Sequence, residues 1–252
     1  MIRKSLPVIL SILSLQAFSQ TNMRKVDELI NTKEPAWVFV KQWIDSAANK
    51  VEILSVDTLK AQDALYHTQV TTRSPMGAVI YMTGGLLIDN GWIRVLGSGN
   101  DKLTRTLPDW NKGKSFVNFG DSPGFLLVAD DVIGGFFLLN GGGLGQDVGK
   151  IYYWSPDNLQ YEPLDISYTE FLDFCLNGNL EQFYKGYRWT NWKTDVAAMS
   201  GDEVFSFYPY LWTVEGKDIE KNSRKQVPVE EQYNINFDFR KQLGLDVQSG
   251  SK

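Results

Sequence analysis

The sequence predicts an α+β fold: an antiparallel meander sheet packed with flanking helices. Three observations carry this. Apolar residues recur with a 3.6-residue period up to about residue 83, short apolar runs separated by turn residues follow, and a capped helix comes after them. Helices first, a meander next and helices again is the order of an α+β domain rather than of alternating βαβ units.

Each element has its own local reason. Pro35 opens a helix whose stripe is Trp37, Val40, Ile44 and Ala47. Asp57 to Thr68 is a second helix, with Leu59, Ala61, Ala64 and Leu65 clustered. "SPMGAVIYMTGG" is a third, capped by Ser74, with Pro75 in its first turn and Gly84-Gly85 at its end. "LLIDNGWIRVLG" then reads as a hairpin, because Asp89-Asn90-Gly91 accepts the positive φ angles of a tight turn. Residues 96–114 read as a long polar connection. "GFLLVA", "GGFFLL", "KIYYW" and "QYEPL" are four further strands, separated by Asp130-Asp131, a glycine loop and "SPDN". Ser167 and Glu170 form a capping box for a helix running to Asn177-Gly178. After Trp192 the pattern weakens: "DIEKNSRKQVP" reads as a solvated connection, and Val229 to Leu243 as an amphipathic helix.

The N-terminus reads as an export signal. Arg3 and Lys4 precede an apolar run, Leu6 to Leu15, and Ala17 and Ser19 are the small residues before a cut. Cleavage after Ser19 leaves Gln20 first, and the protein periplasmic or extracellular. Of the 252 residues, 233 then remain, and loss of Arg3 and Lys4 takes the net charge from −5 to −7. An acidic sequence without a basic run is a poor partner for nucleic acid, and the apolar run is too short for a membrane span. Residues 20–192 read as one α+β domain and 193–252 as a C-terminal helical extension packed on or following it. Cys175 is the only cysteine, which rules out an internal disulfide and a cysteine-based zinc site.

The glycine loop, Gly141, Gly142, Gly143, Gly145 and Gly149 followed by Lys150, raises the question of phosphate binding. A Walker loop needs glycine where Leu144 stands and a hydroxyl where Ile151 stands. A dinucleotide fingerprint needs its third glycine at Gln146 or Val148. Both motifs lead from strand to helix, whereas this loop joins two strands. No nucleotide and no other cofactor is expected. What remains is a hairpin connection whose bare backbone lets another protein approach closely.

Other candidate chemistry is sparse. His67 is the only histidine, lies in a polar helical stretch, and has no Gly-x-Ser-x-Gly elbow to serve. Cys175 shares the apolar stripe of Tyr168, Phe171 and Leu172, which makes it a buried, inert thiol. Asp130 and Asp131 are neighbours on a strand, so they point to opposite faces and form no dyad; they suit a turn. Eight Trp, eleven Tyr and fourteen Phe are many for this length, and core packing takes most of these rings. Any that are exposed would make an interface hot spot or a sugar-stacking platform.

"GFLLVADDVIGGFFLLN", the glycine turn, "IYYWSPDNLQYEPL" and "SYTEFLDFCLNG" resemble the SUKH superfamily, whose fold is shared with the yeast Smi/Knr cell-wall regulator. The likeness is best over residues 121–178, and the sequence is most similar to an uncharacterised bacterial family within that superfamily. It implies a SUKH-like α+β domain that binds other proteins; many bacterial members are immunity proteins that neutralise toxins by direct contact. Export is a departure from those cytosolic antidotes. The leading expectation is therefore a non-enzymatic protein-binding module, immunity-like, whose partner is a toxin or an envelope protein. Its contact face is expected around Asp130, Asp131, Asn140, Gly141, Gly142, Gly143, Tyr152, Tyr153 and Trp154. The alternatives are a carbohydrate or peptidoglycan binder using exposed aromatics, and a hydrolase with scattered carboxylates.

Overall fold

Each of the first seven strands lies beside its predecessor in sequence, and all pairs are antiparallel. The computed structural model describes residues 23–245, so the expected export signal lies outside the described residues. The meander runs β1 (Val51–Ile53), β2 (Gly85–Ile88), β3 (Ile93–Leu96), β4 (Phe125–Asp131), β5 (Phe136–Asn140), β6 (Lys150–Ser155) and β7 (Gln160–Ser167). The α+β class with flanking helices is thus the observed one.

The helices begin where their capping chemistry places them. Four short or medium helices precede β2, with β1 between the second and third: α1 (Val26–Leu29), α2 (Trp37–Asp45), α3 (Thr58–Thr68) and α4 (Pro75–Met82). The Asp57 carboxylate accepts from the amides of Leu59 and Lys60 to start α3, and Ser74 Oγ accepts from Gly77 to start α4. Further along lie α5 (Leu107–Asn111) and α6 (Tyr168–Asn177), the latter opened by a complete Ser167–Glu170 capping box. Between β2 and β3, Asp89, Asn90 and Gly91 all have positive φ (52°, 61° and 89°), as the hairpin signal requires.

Three readings change. Leu59 is 77% exposed, since Ala61, Ala64 and Leu65 already fill the buried face of α3. The connection 96–114 contains α5, capped by Thr106. The stretch from Trp192 onward is not helical alone. After the short α7 (Leu180–Phe183) come α8 (Trp192–Ala197), the paired strands β8 (Glu203–Tyr208) and β9 (Ser223–Pro228), and α9 (Val229–Gln242).

The sheet is covered on both faces, and the covers differ. On one, Phe137 meets Phe171 of α6 at 4.8 Å and Tyr153 meets Phe183 of α7 at 5.4 Å between ring centroids. On the other, Phe136 packs on Tyr233 at 5.2 Å and Trp154 on Phe237 at 5.0 Å, so α9 seals β5 and β6. Rings that stack and edge-pack in this way bring most of the protein's aromatic surface into the core. Among the described residues, no helix is long and apolar enough to cross a membrane.

Candidate functional site

One row of directly opposed residues crosses the face that α9 covers. Glu52 pairs with Leu87, Leu87 with Arg94, Arg94 with Asp130, Asp130 with Phe136, and Phe136 with Trp154. Opposed residues in neighbouring strands project from the same face. The aromatic end of the row lies under α9, whereas the charged end lies under the segment 196–201, which does not fill the space. The result is an open recess of about 420 Å³.

Its walls come from three separate parts of the protein. Strand β1 and the following hairpin supply Lys50, Glu52, Leu87 and Asn90; Arg94 forms the floor; Val196 and Met199 face them from the other side. Lys102 pairs with Glu52 at 2.5 Å across the rim, and Lys50 donates to Asn90 Oδ1 at 3.1 Å. The lining is therefore mixed: Leu87, Val132, Val196 and Met199 stand among charged side chains at the rim and Arg94 at the floor, the mixture of a recognition pocket.

Arg94 is 1% exposed and Asp130 fully buried. Arg94 Nη2 lies 2.5 Å from Asp130 Oδ1, an ion contact in which the N–H is not aimed at the oxygen. Arg94 Nε and Nη1 have no hydrogen-bond partner among the described residues. Asp130 is shared: Arg105 Nη1 donates to its other oxygen at 2.5 Å. Arg105 is fully occupied, since its Nε donates to Asp202 and its Nη2 to the Gly201 carbonyl. Burial pushes the Arg94 guanidinium below the usual arginine range, with Asp130 pulling the other way. Burial acts on Arg105 too, but Asp130 and Asp202 outweigh it and hold that group above its usual value.

The clasp that shapes the pocket is the contact between residues 102–105 and 200–202. Thr104 donates to Asp202 through both its amide and hydroxyl, at 2.8 and 2.6 Å, and Gly201 N–H donates to the Lys102 carbonyl at 2.8 Å. It is this clasp that holds Val196 to Gly201 above the sheet.

The residues expected to form a contact face are mostly interior. Asp130, Asp131, Asn140, Tyr152, Tyr153 and Trp154 are all buried, so their side chains serve the fold. Asp131 faces away from Asp130. Its Oδ1 accepts from the amides of Ile133 and Gly135 and its Oδ2 from the hydroxyls of Tyr153 and Tyr184, which is turn chemistry reinforced by two phenols. Asn140 organises the glycine loop, accepting from Gly142 and Leu144 and donating to Gly145 and Asp147. Gly141, Gly142 and Gly143 are exposed, and the amides of Gly141 and Gly143 both donate to the Gly124 carbonyl. The loop is thus a built hairpin tip, at the opposite end of β4 and β5 from the pocket.

His67 contacts Asp63 at 3.2 Å and stacks on Phe119 at 3.9 Å between centroids; Cys175 is buried. Among the described residues, no group of three or more His, Cys, Asp or Glu could hold a metal ion. Neither Arg94 nor Arg105 stands out by motif. The available signal is "GWIRVLG", a charge inside a strand that is apolar on both sides, where a buried cation requires partners.

A family model described as "Protein of unknown function DUF2625" matches residues 26–232. An uncharacterized protein of Haemophilus influenzae is 46% identical over 223 residues, covering 88% of this sequence and 98% of its own length. The putative uncharacterized protein YbfG of Escherichia coli K12 is 42% identical over 218 residues, covering 86% of this sequence and 98% of its own length. No solved structure matches the protein significantly.

Proposed function

The protein belongs to the DUF2625 family of proteins of unknown function, and on that footing we propose that it is a non-enzymatic binding module that takes a group of a partner protein into the recess above Arg94. The observation that carries this reading is the pocket itself: about 420 Å³, open to solvent, with apolar and charged side chains mixed in its lining. A cavity of that kind, held by a rigid sheet on one side, suits an anchor residue of a partner surrounded by polar rim contacts. The likeness of residues 121–178 to SUKH domains supports the same class of activity, with a toxin or envelope protein as partner.

The test is site-specific photo-cross-linking in the native host. A photoreactive residue replacing Ala197, which is exposed at the pocket mouth, should trap one discrete protein. The same residue at Leu59, on α3, should not. Identical patterns from both positions contradict the reading.

A second reading, saccharide binding, rests on a different place. Tyr208 is exposed, and Tyr210 and Trp212 are partly exposed and stack with planes 5° apart and centroids 5.5 Å apart. Such a stacked pair can offer one outer ring face to a sugar ring. Enrichment of the protein on a glycan array, lost in Trp212→Ala, would favour this reading over the first.

A further inference from the structure

We propose that the floor of the pocket receives a single carboxylate carried on a peptide, with Arg94 as the receiving group. The proposal rests on the pocket being the binding site and specifies what enters it.

Unused hydrogen-bond donors point to an incoming acceptor. A guanidinium carries five donors and no acceptor, and a buried donor without a partner is costly. Arg94 is 1% exposed, yet it lines the recess, and its Nε and Nη1 have no acceptor among the described residues. Asp130 Oδ1 lies against Nη2 and its Oδ2 is taken by Arg105, which leaves Nε and Nη1 without an acceptor. The acceptor that completes Arg94 must come from the side of the pocket.

The cationic side chains at the floor and rim favour an anionic acceptor. Three cationic side chains (Lys50, Arg94 and Lys102) and two anionic ones (Glu52 and Asp101) line the recess. Lys102 and Glu52 satisfy one another at the rim. Arg94 shares Asp130 with Arg105, so its guanidinium keeps donors for one further anionic group. A carboxylate is an anion whose hydrogen-bonding oxygens suit a guanidinium.

Shape adds an apolar stem. Leu87, Val132, Val196 and Met199 offer apolar walls between the mouth and Arg94. A carboxylate borne on a short aliphatic stem buries that stem on the way down. A glutamate or aspartate residue presents such a group, and so does the free C-terminus of a peptide.

The experiment is an NMR titration of ¹⁵N-arginine-labelled protein at constant ionic strength, following the Arg94 Nε signal. Four probes are compared: acetyl-Ala-Glu-amide, acetyl-Ala-Ala with a free C-terminus, acetyl-Ala-Gln-amide and inorganic phosphate. The signal should move saturably with at least one carboxylate peptide, at concentrations at least ten-fold lower than for the glutamine peptide or phosphate. Whichever carboxylate binds more tightly identifies the source. Arg94→Lys, which keeps the charge and loses the planar donor set, should weaken that probe at least ten-fold. Assignment by through-bond correlation keeps the wild-type titration decisive even where this variant fails to fold. An Arg94 signal that ignores both carboxylates, or answers the glutamine peptide or phosphate equally, overturns the proposal. A silent Arg94 beside intact cross-linking from position 197 removes the carboxylate and leaves the binding module standing. Lost cross-linking beside a responsive Arg94 does the reverse.

Discussion

Arg94 and Asp130 are register partners on adjacent strands, both buried, with Nη2 2.5 Å from Oδ1. Asp130 in turn binds Arg105, which also pairs with Asp202, so two carboxylates bracket two guanidinia at the base of the pocket. A buried ion pair contributes little net stability against an apolar replacement, but removing one partner strands the other in low dielectric. The relationship therefore serves position more than stability: it fixes a cation beneath an opening.

Asp130→Asn should accordingly cost about 3–5 kcal/mol, because it strands the buried Arg94 guanidinium, while Arg105 keeps Asp202. Asp202→Asn, at the partly exposed end of the same network, should cost about 1–3 kcal/mol through lost hydrogen bonds to Thr104 and Arg105. Urea unfolding measures both. Equal costs would mean that Arg94 does not depend on Asp130.

Two aspartates should shape the pH dependence with opposite signs. Burial acts against the Asp202 carboxylate, but donors from Thr104 and Arg105 outweigh it and hold the group below the ordinary range. Its contribution is present above the unfolded-state value of about 3.9 and is lost as pH falls through the folded value. Asp202→Asn should therefore flatten the loss of stability below about pH 4. Burial pushes Asp131 up despite its four donors, so the folded state favours the protonated form. Its advantage over Asp131→Asn should shrink as pH rises above about 4. Unfolding midpoints from pH 2.5 to 7 give both slopes.

Cys175 should react slowly in the native protein. It lies on the buried stripe of α6, and burial pushes its thiol well above the usual range, so little thiolate forms. Labelling by a thiol reagent at pH 7.5 should be at least a hundred-fold faster in 6 M guanidinium than in buffer. Comparable rates would place the thiol at the surface.

The glycine loop should prove structural. A Cβ at Gly141 would fall 2.2 Å from the Pro123 carbonyl oxygen, so Gly141→Ala must push the loop off the Pro123-Gly124 segment that leads into β4. We expect a loss of about 1–3 kcal/mol, as for other overpacked sites, against less than about 0.5 for Val148→Ala at an exposed loop position. Gly143→Val, which would meet the Gly124 backbone at 2.9 Å, likewise reports packing rather than partner contact. Titration with ATP should give no heat.

The parts of the fold legible in the sequence are those with a local cause. Asp57, Ser74 and the Ser167–Glu170 pair start helices through side-chain-to-amide bonds made within three residues. Asp89-Asn90-Gly91 turns the backbone by its own φ preferences. Strand β1 is hidden because three residues are too few for a period. Strand β9 is hidden because it is mostly exposed, "SRKQVP", and owes its conformation to pairing with β8. The pocket is hidden for a deeper reason. Lys50, Arg94 and Val196 are brought together only by sheet register and by the Arg105–Asp202 clasp, neither of which leaves a motif. Sequence alone makes Asp130 a contact residue; the fold makes it the counter-charge beneath the site.

The central claim is that binding passes through the recess above Arg94. Its most direct test is the dissociation constant of the cross-linked partner for wild type and for Ala197→Trp, which places an indole at the pocket mouth. With the melting temperature unchanged, the variant should bind at least ten-fold more weakly, and Leu59→Asp, on α3, should bind as wild type does. Wild-type affinity in a folded Ala197→Trp variant would contradict the account.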